Sequence, residues 1–198
     1  MNRIIGIIVS TVIILFSTVS FAFAEELHWG FKKATDGNQI EISSELETML
    51  AKYDAIYRGD PQAKTIYLTF DNGYENGFTE RILDALKEED VPATFFLTGH
   101  YVTSASDLVK RMVKDGHIIG NHSDKHPNMA RLSEAQMLTE WQNFDKKLKE
   151  VTGLERTYYT RPPEGVYDET LLAVGAKNDY RHIFWSIAFK DWEKDVRR

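Results

Sequence analysis

Thr65-Ile66-Tyr67-Leu68-Thr69-Phe70 is an apolar run of strand character that breaks at once into the polar turn Asp71-Asn72-Gly73. The same grammar recurs downstream. Phe78 to Glu88 reads as an amphipathic helix, Ala93 to Leu97 as a strand, Ser106 to Asp115 as a helix and His117 to Gly120 as a strand. A further helix opens at Ser133 with Gln136 as its capping partner, runs through Leu138, Trp141 and Leu148, and stops at Thr152-Gly153. Thr157 to Thr160 and His182 to Phe189 are strand candidates flanking a weaker helix around Asp168 to Val174. Strict alternation of strand and helix predicts an α/β fold with a parallel sheet, open or closed into a barrel. Five or so strands in 198 residues fall short of the roughly 250 residues of an eight-stranded barrel.

Upstream of this region lie an aromatic arm, His28-Trp29-Gly30-Phe31, and a helix carrying Leu46, Met49, Leu50 and Tyr53, with Ser44 and Glu47 in capping-box spacing. Residues 25 to 63 are therefore read as an arm and helix, and residues 64 to 198 as the α/β domain. Residues 1 to 24 read as a signal peptide: Arg3 precedes the apolar stretch from Ile4 to Phe23, and Ala22-Phe23-Ala24 supplies a small-x-small cleavage pattern. The expectation is a secreted protein, with a retained N-terminal anchor as the alternative. The absence of cysteine excludes thiol catalysis and leaves stability to core packing. With 24 basic against 30 acidic residues, a net charge of −6 and no basic run, nucleic acid is not an expected partner.

In parallel α/β folds ligands sit beyond the carboxyl ends of the strands. The residues there are Asp71-Asn72-Gly73, Asn121-His122-Ser123-Asp124-Lys125-His126-Pro127, Arg161-Pro162-Pro163-Glu164-Gly165 and Asp191-Trp192. His122 and His126 stand four apart, a spacing that on one helical turn sets both imidazoles on the same side to clamp a divalent cation. They read equally as two histidines on a solvated loop. Asn72 or Asp71 adds an oxygen to that pair, and a carboxylate beside a metal can take a proton from water that the metal has acidified. Asp-Asn-Gly is also a common turn sequence. Arg161 can hold Asp71 by a bidentate contact or be a surface charge on a rigid loop. Asp191 can orient a catalytic imidazole and Trp192 wall an apolar pocket, or the two form a turn and a core aromatic. His28, His100, His117 and His182 have no partner at ligand spacing and are read as structural.

Taken in order, Thr69-Phe70-Asp71-Asn72-Gly73-Tyr74-Glu75, the Asn121 to Pro127 segment, Arg161-Pro162-Pro163-Glu164-Gly165 and Asp191-Trp192 resemble the successive motifs of the NodB-type polysaccharide deacetylases, carbohydrate esterase family 4. Within it they are similar to the sporulation subgroup that forms muramic delta-lactam, which has Asp-Asn-Gly-Tyr-Glu in place of Asp-Asp-Gly. The resemblance covers roughly residues 27 to 192. It implies a distorted (β/α) barrel, a divalent metal ion such as zinc, and hydrolysis of N-acetyl groups from peptidoglycan glycan strands, with N-acetylmuramic acid the expected substrate and no stable protein partner. By position, Asp71 resembles the general base, His122 and His126 the metal ligands with Asn72 the third, and Arg161 the residue holding the base. Glu164 falls where the family uses a backbone N–H for the oxyanion, and Tyr74 and Trp192 among the substrate contacts. The family's last motif, a strand ending in Leu-His that supplies the general acid tuned by the Asp191 position, has no counterpart before Arg198. The resemblance therefore implies a barrel incomplete at the C-terminus. It leaves a catalytically impaired glycan-binding remnant, or a deacetylase of an N-acetylglucosamine polymer, as alternatives.

Overall fold

The computed structural model describes residues 25–35 and 38–189. The proposed signal segment and the Asp191-Trp192 pair lie outside them. In chain order the elements are β1 (Leu27–His28), α1 (Ser44–Lys52), β2 (Thr69–Asn72), α2 (Thr79–Glu88), β3 (Thr94–Leu97), α3 (Gly99–Ser104), α4 (Ser106–Lys114), β4 (Ile118–Asn121), α5 (Glu134–Thr152), β5 (Tyr159–Thr160), β6 (Val166–Tyr167), α6 (Glu169–Lys177) and β7 (Arg181–His182). Five strands form one parallel sheet in the order β2-β3-β4-β5-β7, as the strand–helix alternation predicts. The register aligns Asn72 with Leu97, Leu97 with Asn121, Asn121 with Thr160 and Thr160 with His182. The carboxyl ends of all five strands thus lie in one row, and every polar strand-end segment of this sheet leaves from it.

Local chemistry explains the elements. Helix α5 has the expected capping box between Ser133 and Gln136 and ends on Gly153 in the left-handed conformation. Helix α1 is capped by Ser43, one residue before the Ser44 expected from spacing: the Ser43 hydroxyl accepts from Leu46 N at 3.2 Å. Glu47 is thereby released to accept from the Tyr57 hydroxyl at 3.0 Å and to pair with Arg58 at 2.6 Å.

Three strands differ from their expected extents by two residues or more. Of the expected Thr157 to Thr160 only Tyr159–Thr160 is strand. Strand β2 spans Thr69–Asn72 and not Thr65 to Phe70, because pairing with β3 begins at Thr94 opposite Thr69, and Ile66 and Tyr67 are exposed. The last pairs only through Arg181 and His182, because its neighbour β5 is two residues long and is cut off at Pro162.

Two apolar cores pack around the sheet and share α5. In one, Phe95 and Leu97 of β3 pack with Leu83, Val109 and Met112 of the helices and with Phe144 and Leu148 of α5. In the other, Trp29 and Leu50 of the N-terminal arm and helix join Met137, Trp141, Leu171, Leu172 and Phe184. The arm is tied in by β1, which pairs antiparallel with β6, and by the Trp29 indole donating to the Trp185 carbonyl at 2.9 Å.

His182 closes the second core. It is fully buried and lies edge-on to Trp141 at 5.9 Å, where a side chain on Gly175 would collide with its ring. Neither ring nitrogen has a hydrogen-bond partner, and burial lowers its pKa from 6.5 to about 3. Because the folded pKa lies below the unfolded one, the unfolded chain takes up a proton first as the pH drops. Stability is then lost from about pH 6.5 downward to about pH 3, by roughly 2 kcal/mol at pH 5. Chemical denaturation at pH 7.5 and pH 5 should show His182→Leu losing about that much less stability between the two conditions than the parent. Equal losses in both proteins would refute the assignment.

Candidate active site

Four side chains from three strand ends converge beyond the row of carboxyl termini. Arg161, the residue after β5, is 3% exposed. Its Nη1 donates to Asp71 Oδ1 at 2.6 Å and to Thr69 Oγ1 at 3.0 Å, both on β2. Its Nε donates to the Ile183 carbonyl at 3.1 Å, just past β7. The guanidinium lies over the Phe96 ring at 4.1 Å and beside Trp185 at 5.5 Å, a stacking that suits its planar, weakly hydrated group. Burial lowers its pKa and the neighbouring Asp71 carboxylate opposes that shift. Arg161 therefore reaches both outer strands of the sheet from its interior.

Asp71 is 38% exposed and presents its second oxygen to His122, with Oδ2 4.0 Å from Nε2. His122 is buried, and its Nδ1 lies 2.8 Å from the Arg161 carbonyl. A carbonyl can only accept, so Nδ1 carries the hydrogen and Nε2 the free lone pair that faces Asp71. Burial lowers the pKa of the His122 ring against the opposing pull of Asp71 and keeps the imidazole neutral. The His126 ring stands edge-on to it at 4.9 Å. The two imidazoles do come together, but not on a helical turn: the loop between them is non-helical, with Ser123 at φ 67° and His126 at φ 58°.

The residues present fit a divalent cation. The Asn72 side-chain oxygen is buried with no hydrogen-bond partner, a costly state for an amide unless a cation takes the lone pair. Among the described residues no three His, Cys, Asp or Glu side chains cluster as a metal site; this amide oxygen, at the end of β2 in the same row of strand ends as His122, is the candidate third donor. Two nitrogens and one neutral oxygen make a donor set suited to zinc and several other first-row ions.

Glu164 sits in a short 3-10 turn, Pro163–Gly165, with its backbone at φ 59° and its side chain exposed. Tyr74 is 65% exposed on the loop after β2. That loop is held by Glu75, whose carboxylate accepts from the Gly77 amide and the Tyr101 hydroxyl, each at 2.6 Å. Asp191 and Trp192 lie outside the described residues. Trp185 and Phe96, whose rings lie near the guanidinium, carry no motif that sequence reading picks out. Trp185 follows the last strand, a position that offers a weak signal, whereas Phe96 is indistinguishable from any core aromatic.

Known proteins share this arrangement of elements. The family model for polysaccharide deacetylases matches residues 58–183, more than half of the chain. A 30.6 kDa protein of Geobacillus stearothermophilus is 51% identical over 184 residues, 92% of this chain and 69% of that one. The peptidoglycan-N-acetylmuramic acid deacetylase PdaA of Bacillus subtilis is 43% identical over 169 residues, 85% of this chain and 64% of that one. The solved structure of PdaA, a family 4 carbohydrate esterase, superposes with a TM-score of 0.84 at 42% identity, covering 88% of this chain and 74% of that one. The chain thus spans about two thirds of the length of these two curated relatives. Five parallel strands with their ends in one row, a matching family model and relatives above 40% identity lead to one assignment: the chain belongs to the polysaccharide deacetylases, the hydrolases of carbohydrate esterase family 4.

Proposed function

We propose that the protein is a metal-dependent peptidoglycan N-deacetylase that removes the acetyl group from N-acetylmuramic acid, the step that precedes delta-lactam closure. The observation that carries this reading is a single carboxylate, Asp71, held on one oxygen by a buried arginine at 2.6 Å and facing a neutral imidazole with the other at 4.0 Å. Asn72, His122 and His126 would hold the cation, and zinc fits this donor set. When bound, the cation supplies Lewis acidity, which lowers the pKa of water and draws charge from an amide carbonyl.

Asp71 is the general base. Its Oδ1 is committed to Arg161, so Oδ2 is the oxygen that receives the proton, and Arg161 keeps the carboxylate oriented and ionised before it does so. The backbone N–H of Glu164 donates to the oxygen that gains negative charge as water adds to the acetamide. Tyr74 offers an exposed aromatic face for a sugar ring. The substrate assignment draws support from the similarity to PdaA, whose name specifies muramic acid. A polymer outside the membrane agrees with the reading of residues 1 to 24 as a signal peptide.

Acetate release from zinc-supplemented reactions tests the proposal. Spore-type peptidoglycan should yield acetate faster than N-acetylglucosamine oligomers; no release from either at high protein concentration would leave a glycan-binding remnant. The neutral third donor makes a separate prediction. Asn72→Asp adds a formal charge to the ligand set and should tighten zinc binding by on the order of tenfold. A titration with a fluorescent chelator would show it, and unchanged retention of the metal would count against Asn72 as a ligand.

A further inference from the structure

We infer that Glu140, on α5, is the positioning residue that sets the direction of the His126 imidazole, an inference that rests on reading His122 and His126 as cation ligands. The two histidines are held very differently. His122 is fixed by its backbone N–H donating to Leu97 O at 2.9 Å and by its ring nitrogen against the Arg161 carbonyl at 2.8 Å. The His126 ring, among the described contacts, has only the edge-on approach to His122. Its direction therefore depends on the backbone of the loop that carries it.

That loop is built against local preference. Ser123 and His126 both adopt positive φ, a region that residues with a Cβ seldom enter unless neighbouring contacts impose it. The contacts come from α5. The adjacent amides of Asp124 and Lys125 converge on one oxygen, Glu140 Oε2, at 3.0 and 2.8 Å. Successive backbone N–H groups pointing into one concavity form an anion nest, and here the protein's own carboxylate fills it. Seven residues on, two helical turns along the same face, Lys147 donates to Asp124 Oδ1 at 2.5 Å, and that carboxylate is 4% exposed. Helix α5 thus gives an acceptor to the loop's donors and a donor to the loop's acceptor. The Ser123 hydroxyl completes the turn by accepting from His126 N at 2.8 Å.

Glu140 itself is half-buried and meets the loop through the main-chain amides of Asp124 and Lys125, so its loss should appear in metal affinity before anything else. Zinc titration calorimetry on the full chain tests this with the parent, Glu140→Gln, Glu140→Asp and Glu140→Met. Gln keeps an acceptor oxygen at the same reach and should bind zinc within about threefold of the parent. Met has none and Asp is one methylene short, so each should bind about 10- to 100-fold more weakly, the usual penalty for losing a partner that orients a ligand. Asp is tolerated at a half-exposed helix position, so the test survives if Met fails to fold. Zinc affinity unchanged in the Asp and Met variants would overturn the role of Glu140 alone. A parent protein that binds no zinc would overturn the ligand reading and this inference with it.

Discussion

Asp71→Asn is expected to lower acetate release by about 10²- to 10⁴-fold, the range over which a general base acts, while zinc affinity stays within a few-fold of the parent. The asymmetry follows from the two oxygens of this carboxylate. Oδ1 is occupied by Arg161 at 2.6 Å and Oδ2 faces His122 at 4.0 Å. An amide preserves the shape and still accepts from Arg161, but neither of its ends can take a proton from water near neutral pH. The amide leaves the buried Arg161 guanidinium hydrogen-bonded but without its counter-charge, so a stability loss of about 1 to 2 kcal/mol is expected as well. Rates from an acetate-coupled assay, set beside zinc calorimetry on the same preparation, separate the two effects. Turnover within threefold of the parent would remove Asp71 from the mechanism.

Arg161→Met is expected to cost more in stability than any other single change at the site, about 3 kcal/mol, the lower end of the range for breaking a buried ion pair. The lower end applies because Asp71 keeps contact with water. Methionine keeps most of the arginine's apolar bulk near Phe96 and Trp185, so the cost is mainly one of polar groups and not of a cavity. It strands the Ile183 carbonyl, the Thr69 hydroxyl and the charge on Asp71, which the guanidinium satisfies together. Lysine should rescue little, since one ammonium cannot span acceptors that the planar fork reaches in different directions. Urea denaturation read by tryptophan fluorescence measures the loss, and a variant within about 1 kcal/mol of the parent would show that the contacts contribute little.

Much of the architecture could be read from sequence because each strand announces its own end. Gly73 and Pro162-Pro163 follow closely on the ends of β2 and β5, where the chain turns from apolar to polar, and the capping box at Ser133 and the glycine at 153 bracket α5 from local chemistry alone. What was not legible depends on partners distant in sequence. Ile66 and Tyr67 have strand propensity, but a strand exists only where a neighbour pairs with it, and β3 begins opposite Thr69. The two-residue pairing of β1 with β6 joins positions about 140 apart and carries no pattern of its own. Among the site residues, the spacing of His122 and His126 was visible while the path between them was not. Two left-handed residues are stabilised there by Glu140 on a later helix, and a carboxylate that binds main-chain amides leaves no side-chain motif to read.

The reach of Arg161 from β5 to β2 on one side and to the segment past β7 on the other has a consequence for how the enzyme would fail. The bond that aims Asp71, the proposed base, and the bonds that link β2 to the segment past β7 belong to one guanidinium. Parting of those outer strands and release of the proposed base are then a single event: heat, denaturant or a distant substitution that separates them should silence hydrolysis while the helices are still intact.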